Sequence, residues 1–219
     1  MAGMIVTIDG PAGAGKSSAA RALANRLGFD FLDTGAMYRA VALAGLRSGA
    51  GAGNEKKWQA IVDSVGIELE GDTVRLDGEN VSEKIRTSAV TAHVRHAADS
   101  ATVRRRLSEL QRQWAGERDV VTEGRDQGTE VFPHADCKLF LTASPDERAK
   151  RRAAELAERG EPAEIEAVRA MQDRRDREDE TRPLGALRPA ADAVIVVTDG
   201  LSPEEVLDRL AAIVAAKSK

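Results

Sequence analysis

The sequence predicts an α/β protein: a five-stranded parallel sheet with helices on both faces, of the P-loop three-layer type. Three observations predict it. A β-branched run, Ile5-Val6-Thr7-Ile8, leads straight into a glycine-rich turn and then an alanine-rich helical segment, which is the opening of a βαβ unit. Further short apolar runs alternate with amphipathic stretches along the chain, and that alternation calls for parallel strands joined by helical crossovers. The turn itself fits a phosphate-binding loop in full.

Taken in order, the first strand spans residues 4–8 and the first helix 16–27. Residues 31–32 form a short second strand, and Thr34 is placed to cap a helix over 35–46. A helix over 56–65 precedes a hairpin, in which 67–69 and 73–76 flank Glu70-Gly71-Asp72. Residues 53–85 read as an insertion. Helices follow over 88–100 and 101–114, then core strands at 120–122 and 138–141. Ser144-Pro145-Asp146-Glu147 is a capping box that opens a helix to about residue 159. Gly160-Glu161-Pro162 breaks that helix, and another covers 165–180. The fifth strand is 193–197. Ser202-Pro203-Glu204-Glu205 caps a final helix with an apolar face of Val206, Leu207, Leu210 and Ile213. The expected organisation is a single domain, with core segments 1–34, 115–147 and 184–219. Within it, 35–114 and 148–183 stand apart from the core segments.

Composition narrows the function. The 219 residues are 42% hydrophobic and 31% charged, with only 3% aromatic, as in a globular protein with an aliphatic core. Thirty-two basic and 36 acidic side chains leave a net charge of −4, so nucleic acid is not an expected partner. No run approaches a membrane span, no signal peptide is expected, and the cytoplasm is the expected location. A monomer is expected. The single cysteine, Cys137, sits in an apolar run and reads as core. His93 and His96 have no further His or Cys to complete a metal set.

Gly10-Pro11-Ala12-Gly13-Ala14-Gly15-Lys16-Ser17 is the phosphate loop, and Ser18 continues it into the helix. Its glycines let successive N–H groups turn toward a phosphate, and the helix adds the positive end of its dipole. Lys16 can reach the β- and γ-phosphates of a bound nucleotide, and Ser17 can ligate Mg2+. No guanine-reading Asn-Lys-x-Asp stretch is present, so a small-molecule kinase is favoured over a GTPase.

Three other segments carry acceptor chemistry. Asp33-Thr34-Gly35-Ala36-Met37-Tyr38-Arg39 follows the second strand at the sheet's carboxyl edge. Arg39 can fork onto a phosphate there, or the segment is an ordinary capped helix. Glu123-Gly124-Arg125-Asp126 follows the third core strand. Arg125 can hold phosphate, Asp126 can accept from a base amino group, and Glu123 can join the Mg2+ shell; the alternative is a turn with a local ion pair. Arg148, Arg151, Arg152 and Arg159 on one helix, and Arg175, Asp179 and Arg182 at i, i+4 and i+7 on the next, form either a cationic lid or a solvated face.

With these motifs the chain resembles the bacterial cytidylate kinases over nearly its whole length. Supporting segments are Ile85-Arg86-Thr87, Val103-Arg104, Glu123 through Thr129, and Glu147 through Arg152. The resemblance implies ATP- and Mg2+-dependent phosphorylation of CMP and dCMP, with 35–114 as an acceptor-binding region and 148–183 as a lid with flanking helices. It implies that Thr34, Arg39, Arg125 and Arg182 hold the CMP phosphate and that Arg104 and Asp126 read the cytosine. It places Arg175 and Asp179 on the sugar, Arg148 and Arg152 near the ATP phosphates, and Tyr38 in the acceptor site. Arg95 stands where the family often has a base-reading serine, and Gln127 where an apolar residue is usual. Other readings are a kinase for another nucleotide or shikimate, and a noncatalytic nucleotide sensor.

Overall fold

The computed structural model describes residues 3–158 and 160–217. The elements run β1 (Ile5–Asp9), α1 (Lys16–Leu27), β2 (Asp30–Asp33), α2 (Thr34–Ser48), α3 (Glu55–Ser64), β3 (Ile67–Glu70), β4 (Thr73–Leu76) and β5 (Glu79–Asn80). They continue with α4 (Ser88–Asp99), α5 (Ala101–Ala115), β6 (Val120–Gly124), β7 (Cys137–Thr142), α6 (Pro145–Glu158), α7 (Ile165–Glu180), β8 (Val194–Val197) and α8 (Pro203–Lys217). Arg159, which the sequence groups with the arginines of α6, lies outside the described residues. The chain divides into two compact units, Met1–Leu32 with Gly116–Lys219, and Asp33–Ala115.

The first unit is organised by a five-stranded parallel sheet in the order β2-β6-β1-β7-β8. Strand β1 lies at its centre, parallel to β6 on one side and β7 on the other. Val6, Thr7 and Ile8 are all fully buried, so both faces of this strand are covered, as a parallel sheet requires. Leu23 of α1 and Leu210 of α8 pack with Ile8, Leu139 and Leu141 in one core. Val206, Leu210 and Val214 recur every four residues on the buried stripe of α8. Leu207 and Ile213, expected on the same face, are only partly buried beside it. Cys137 is buried in this core, and burial pushes its thiol up to about 11.

Local capping follows the sequence in part. At α8 the box is complete: Glu205 N–H donates to Ser202 Oγ, and Ser202 N–H donates to the Glu205 carboxylate at 2.8 Å. At α6 it is half made. Glu147 N–H reaches Ser144 Oγ at 3.3 Å, but Ser144 N–H is taken by Asp199, and Glu147 turns to Arg151. A carboxylate from the far end of the unit competes for the same donor.

The second unit carries the expected hairpin, with Ile67 opposite Leu76 and Glu70 opposite Thr73. A third strand, β5, for which the sequence reading gave no residues, extends it into a small sheet. The cap of α2 is Asp33 rather than Thr34: the Asp33 carboxylate accepts from Ala36 N–H at 2.9 Å. Thr34 is instead the first helical residue and is buried. Trp58 is fully buried under α2, and Gly45 is the residue that lets it approach, since a Cβ there would lie 2.4 Å from the indole.

Candidate functional site

The phosphate loop follows the central strand and ends at the head of α1. Gly15 adopts φ +82°, and no side chain caps the helix, so the first N–H groups of α1 are available to an anion. Gly10 has φ +148°, and a Cβ there would collide with the Leu141 carbonyl of β7 at 1.9 Å. Only glycine lets the loop leave the sheet at that point. Lys16 is buried, and its ammonium donates to Pro11 O at 2.7 Å, folding back over the loop. Burial lowers the Lys16 pKa to about 7; Arg125 adds to the fall, and Glu123 opposes it.

Two carboxylates lie beside this cation. Ser17 Oγ donates to Glu123 Oε1 at 3.0 Å, which joins the loop to the end of β6. Asp9, at the end of β1, accepts from Gln127 N–H at 2.9 Å and Gly128 N–H at 2.8 Å. Burial nevertheless raises Asp9 to about 6. Those two bonds shape a turn of π-helix over Gln127–Val131, where the Gln127 side chain is buried and accepts from Thr122 Oγ1 at 2.9 Å. A polar residue thereby satisfies the buried Thr122 hydroxyl in the middle of β6, which accounts for glutamine at this position. Asp9 was missed by the sequence reading, although a polar residue at the carboxyl end of the central strand was a usable signal.

The arginine cluster of this unit centres on Asp179. Arg125 Nε donates to one of its oxygens at 3.0 Å and Arg182 to the other at 2.7 Å. Burial alone would raise Asp179, but Arg125, Arg182 and Arg175 together hold its carboxyl below the usual range. Arg182 lies just beyond the end of α7 and still reaches Asp179 three residues back. Asp126 is buried at the same strand end, and Arg175 is exposed on α7. The helix arginines divide sharply. Arg148 is buried and bonded to Asp176, Ala12 O and Ala143 O, whereas Arg152 pairs with Glu155 at the surface. Arg151 donates to both oxygens of Thr198.

In the second unit, Tyr38 and Arg39 fall in the first turns of α2. Arg39 Nη1 donates to Ile85 O at 3.1 Å and Thr91 Oγ1 at 2.9 Å, so the Ile85 carbonyl and α4 together orient its guanidinium. Arg104 is buried on α5, donates to Ala98 O at 3.1 Å and lies 5.7 Å from the Tyr38 ring centre, a cation–π arrangement. Arg95 is exposed on α4. His93 and His96 meet edge to face, and among the described residues no three or more His, Cys, Asp or Glu side chains gather as a metal-binding group. No helix among the described residues is long and apolar enough to cross a membrane.

Comparison with known proteins gives a consistent result. The cytidylate kinase family model matches residues 6–216. The chain is 52% identical over 207 residues to the cytidylate kinase of Rhodopirellula baltica, covering 94% of this chain and 90% of that one. It is 46% identical over 216 residues to that of Pelotomaculum thermopropionicum, covering 96% of each. Among solved structures, TT1252 from Thermus thermophilus aligns with a TM-score of 0.52 at 19% identity, covering all of both chains. Shikimate kinase from Bacteroides thetaiotaomicron gives 0.50 at 14% identity, covering 97% of this chain and 98% of that one. These two likenesses establish the fold.

Proposed function

The chain belongs to the cytidylate kinase family, and from that premise we propose that it transfers the γ-phosphoryl group of ATP to CMP or dCMP. The products are ADP and CDP or dCDP. The observation that carries this reading is Lys16, buried at the head of a helix whose N–H groups no side chain caps, in a chain matched by the family model from residue 6 to residue 216.

The attacking group is a phosphate oxygen of the acceptor. It is already ionised at neutral pH, so no protein base has to remove a proton. Catalysis is in-line positioning and charge neutralisation. Residues 10–18 hold the ATP phosphates, and Lys16 exchanges its bond to Pro11 O for phosphate oxygens. Ser17 and Glu123 fit Mg2+: a hydroxyl and a buried carboxylate are hard oxygen donors, and this ion takes few protein ligands beside phosphate. When bound, it supplies charge neutralisation at the transferring phosphoryl oxygens. Thr34, Arg39, Arg125 and Arg182 take the acceptor phosphate, while Arg104 and Asp126 read the base and Tyr38 packs beside Arg104. Arg175 and Asp179 take the sugar hydroxyls, so Asp179 must loosen its grip on Arg125 and Arg182 as substrate arrives. Arg152 is the surface arginine of α6 that would turn toward the donor phosphates. A cytoplasmic monomer is part of the same proposal.

An ADP-release assay with CMP, dCMP, UMP, AMP and shikimate side by side tests it. CMP and dCMP are expected to turn over fastest. Faster turnover of any other acceptor overturns the assignment, and ATP binding without turnover of any acceptor points to a sensor.

A further inference from the structure

Both polar groups of one residue in the phosphate loop are held from outside the loop. Arg148 Nη1 of α6 donates to Ala12 O at 3.1 Å, and Ala12 N–H points at Asp176 Oδ1 of α7 at 3.4 Å. Arg148 and Asp176 are themselves an ion pair, and both are buried. Gln172, one turn earlier on α7, donates to Arg148 O at 3.3 Å. It lies so close to the loop that a Cβ on Gly13 would stand 2.6 Å from its Nε2.

We infer that the Arg148–Asp176 pair is a positioning device for the phosphate loop that ties it to α7. The physical step is the planarity of the peptide bond. In a trans peptide the carbonyl of residue 12 and the N–H of residue 13 point in opposite directions. With Ala12 O drawn toward Arg148, the Gly13 N–H is turned away from α6 and α7, toward the side of the loop left for a phosphate. Gly13 reaches this orientation at φ +78°, where a side chain would be strained. The loop is thereby set before nucleotide arrives, and less binding free energy is lost in ordering it. The same α7 carries Asp176 between Arg175 and Asp179, so a shift of the loop moves the carboxylate next to the arginine cluster. Arg148 on this inference acts through the loop and does not touch phosphate. The inference rests on the loop being the ATP site, as proposed above, and is independent of the acceptor's identity.

The test is ATP affinity by calorimetry, which needs no acceptor. A failure to phosphorylate CMP would therefore be a separate result. Removing one partner leaves a buried charge and endangers folding, so the main variant is the double substitution Arg148→Met with Asp176→Leu, which removes both charges together. The expected result is a folded protein that binds ATP at least roughly tenfold more weakly, with KM for ATP raised by a larger factor than kcat is lowered. Arg148→Lys should fall between this variant and wild type, because the ammonium keeps a charge for Asp176 but lacks the Nε that donates to Ala143 O and the rigid fork that fixes the direction of the bond to Ala12 O. ATP binding within about twofold of wild type in the folded double variant overturns the inference. Should the double variant not fold, hydrogen exchange on the wild type decides. The amide of Ala12, whose N–H faces Asp176, is expected to exchange more slowly in wild type than in Arg148→Lys, and equal rates in the two proteins overturn it.

Discussion

Ser17 Oγ donates to Glu123 Oε1 across 3.0 Å, fastening the first turn of α1 to the carboxyl end of β6. Glu123 is buried, and Ser17 is exposed to the loop's open side. Glu123→Gln keeps the shape and removes the charge. The Mg2+ concentration for half-maximal activity is expected to rise roughly tenfold, with little change in thermal midpoint. A Mg2+ titration of the initial rate checks this, and an unchanged midpoint removes Glu123 from the ion's surroundings.

Lys16→Met is expected to lower kcat/KM by a factor on the order of 10^3 or more, because it deletes the buried cation nearest the developing charge. Thermal stability should rise or stay level, since a desolvated charge is also removed. Steady-state kinetics and a melting curve on the same preparation measure both.

Lys16 also sets a pH dependence. Burial brings its pKa down to about 7, and a lysine is charged below its pKa. The free enzyme therefore loses this charge as pH rises through about 7, and kcat/KM for ATP should fall above it. Bound phosphates favour the charged form, so kcat should hold to higher pH. Profiles of both constants between about pH 6 and 9 test the separation; superimposed alkaline limbs count against it.

Asp126→Ala addresses the base. Asp126 is buried at the end of β6, where a carboxylate accepts from an amino group and repels a carbonyl. The preference for CMP over UMP is expected to fall by roughly 10- to 100-fold, with ATP KM nearly unchanged. The ratio of kcat/KM values for the two acceptors is the measurement.

Gly45→Ala tests packing in the second unit alone. The new methyl would stand 2.4 Å from the fully buried indole of Trp58. The ring has to move, at a cost of about 1–3 kcal/mol. A lower thermal midpoint with red-shifted tryptophan emission is expected; an unchanged melt would show that the indole has room to shift.

Much of the first unit was legible because its signals are contiguous. The loop at 10–17, the strand before it and the helix after it are adjacent in sequence, so the pattern contains its own context. The capping box at Ser202 was readable for the same reason, and the structure completes it. Ser144 shows the limit: an equivalent sequence is only half capped, because Asp199, 55 positions away, takes its N–H. At α2 the cap moved by one residue to Asp33, since two adjacent residues can both cap and local sequence does not choose between them. The strand β5 is two residues long, too short for an alternating pattern to register.

The sequence by itself determined that a phosphate loop heads a parallel α/β sheet, and which residue types stand at the strand ends. Those properties are encoded in backbone preference and short-range pattern. Only the tertiary structure decided what each charged side chain does. Arg148 and Arg152 sit four positions apart on one helix, yet Arg148 is buried against the phosphate loop and Arg152 lies at the surface with Glu155. The difference is Asp176, 28 positions further on and on another helix. A buried charge is tolerated where a partner meets it, and that partner is supplied by packing rather than by neighbours in the chain.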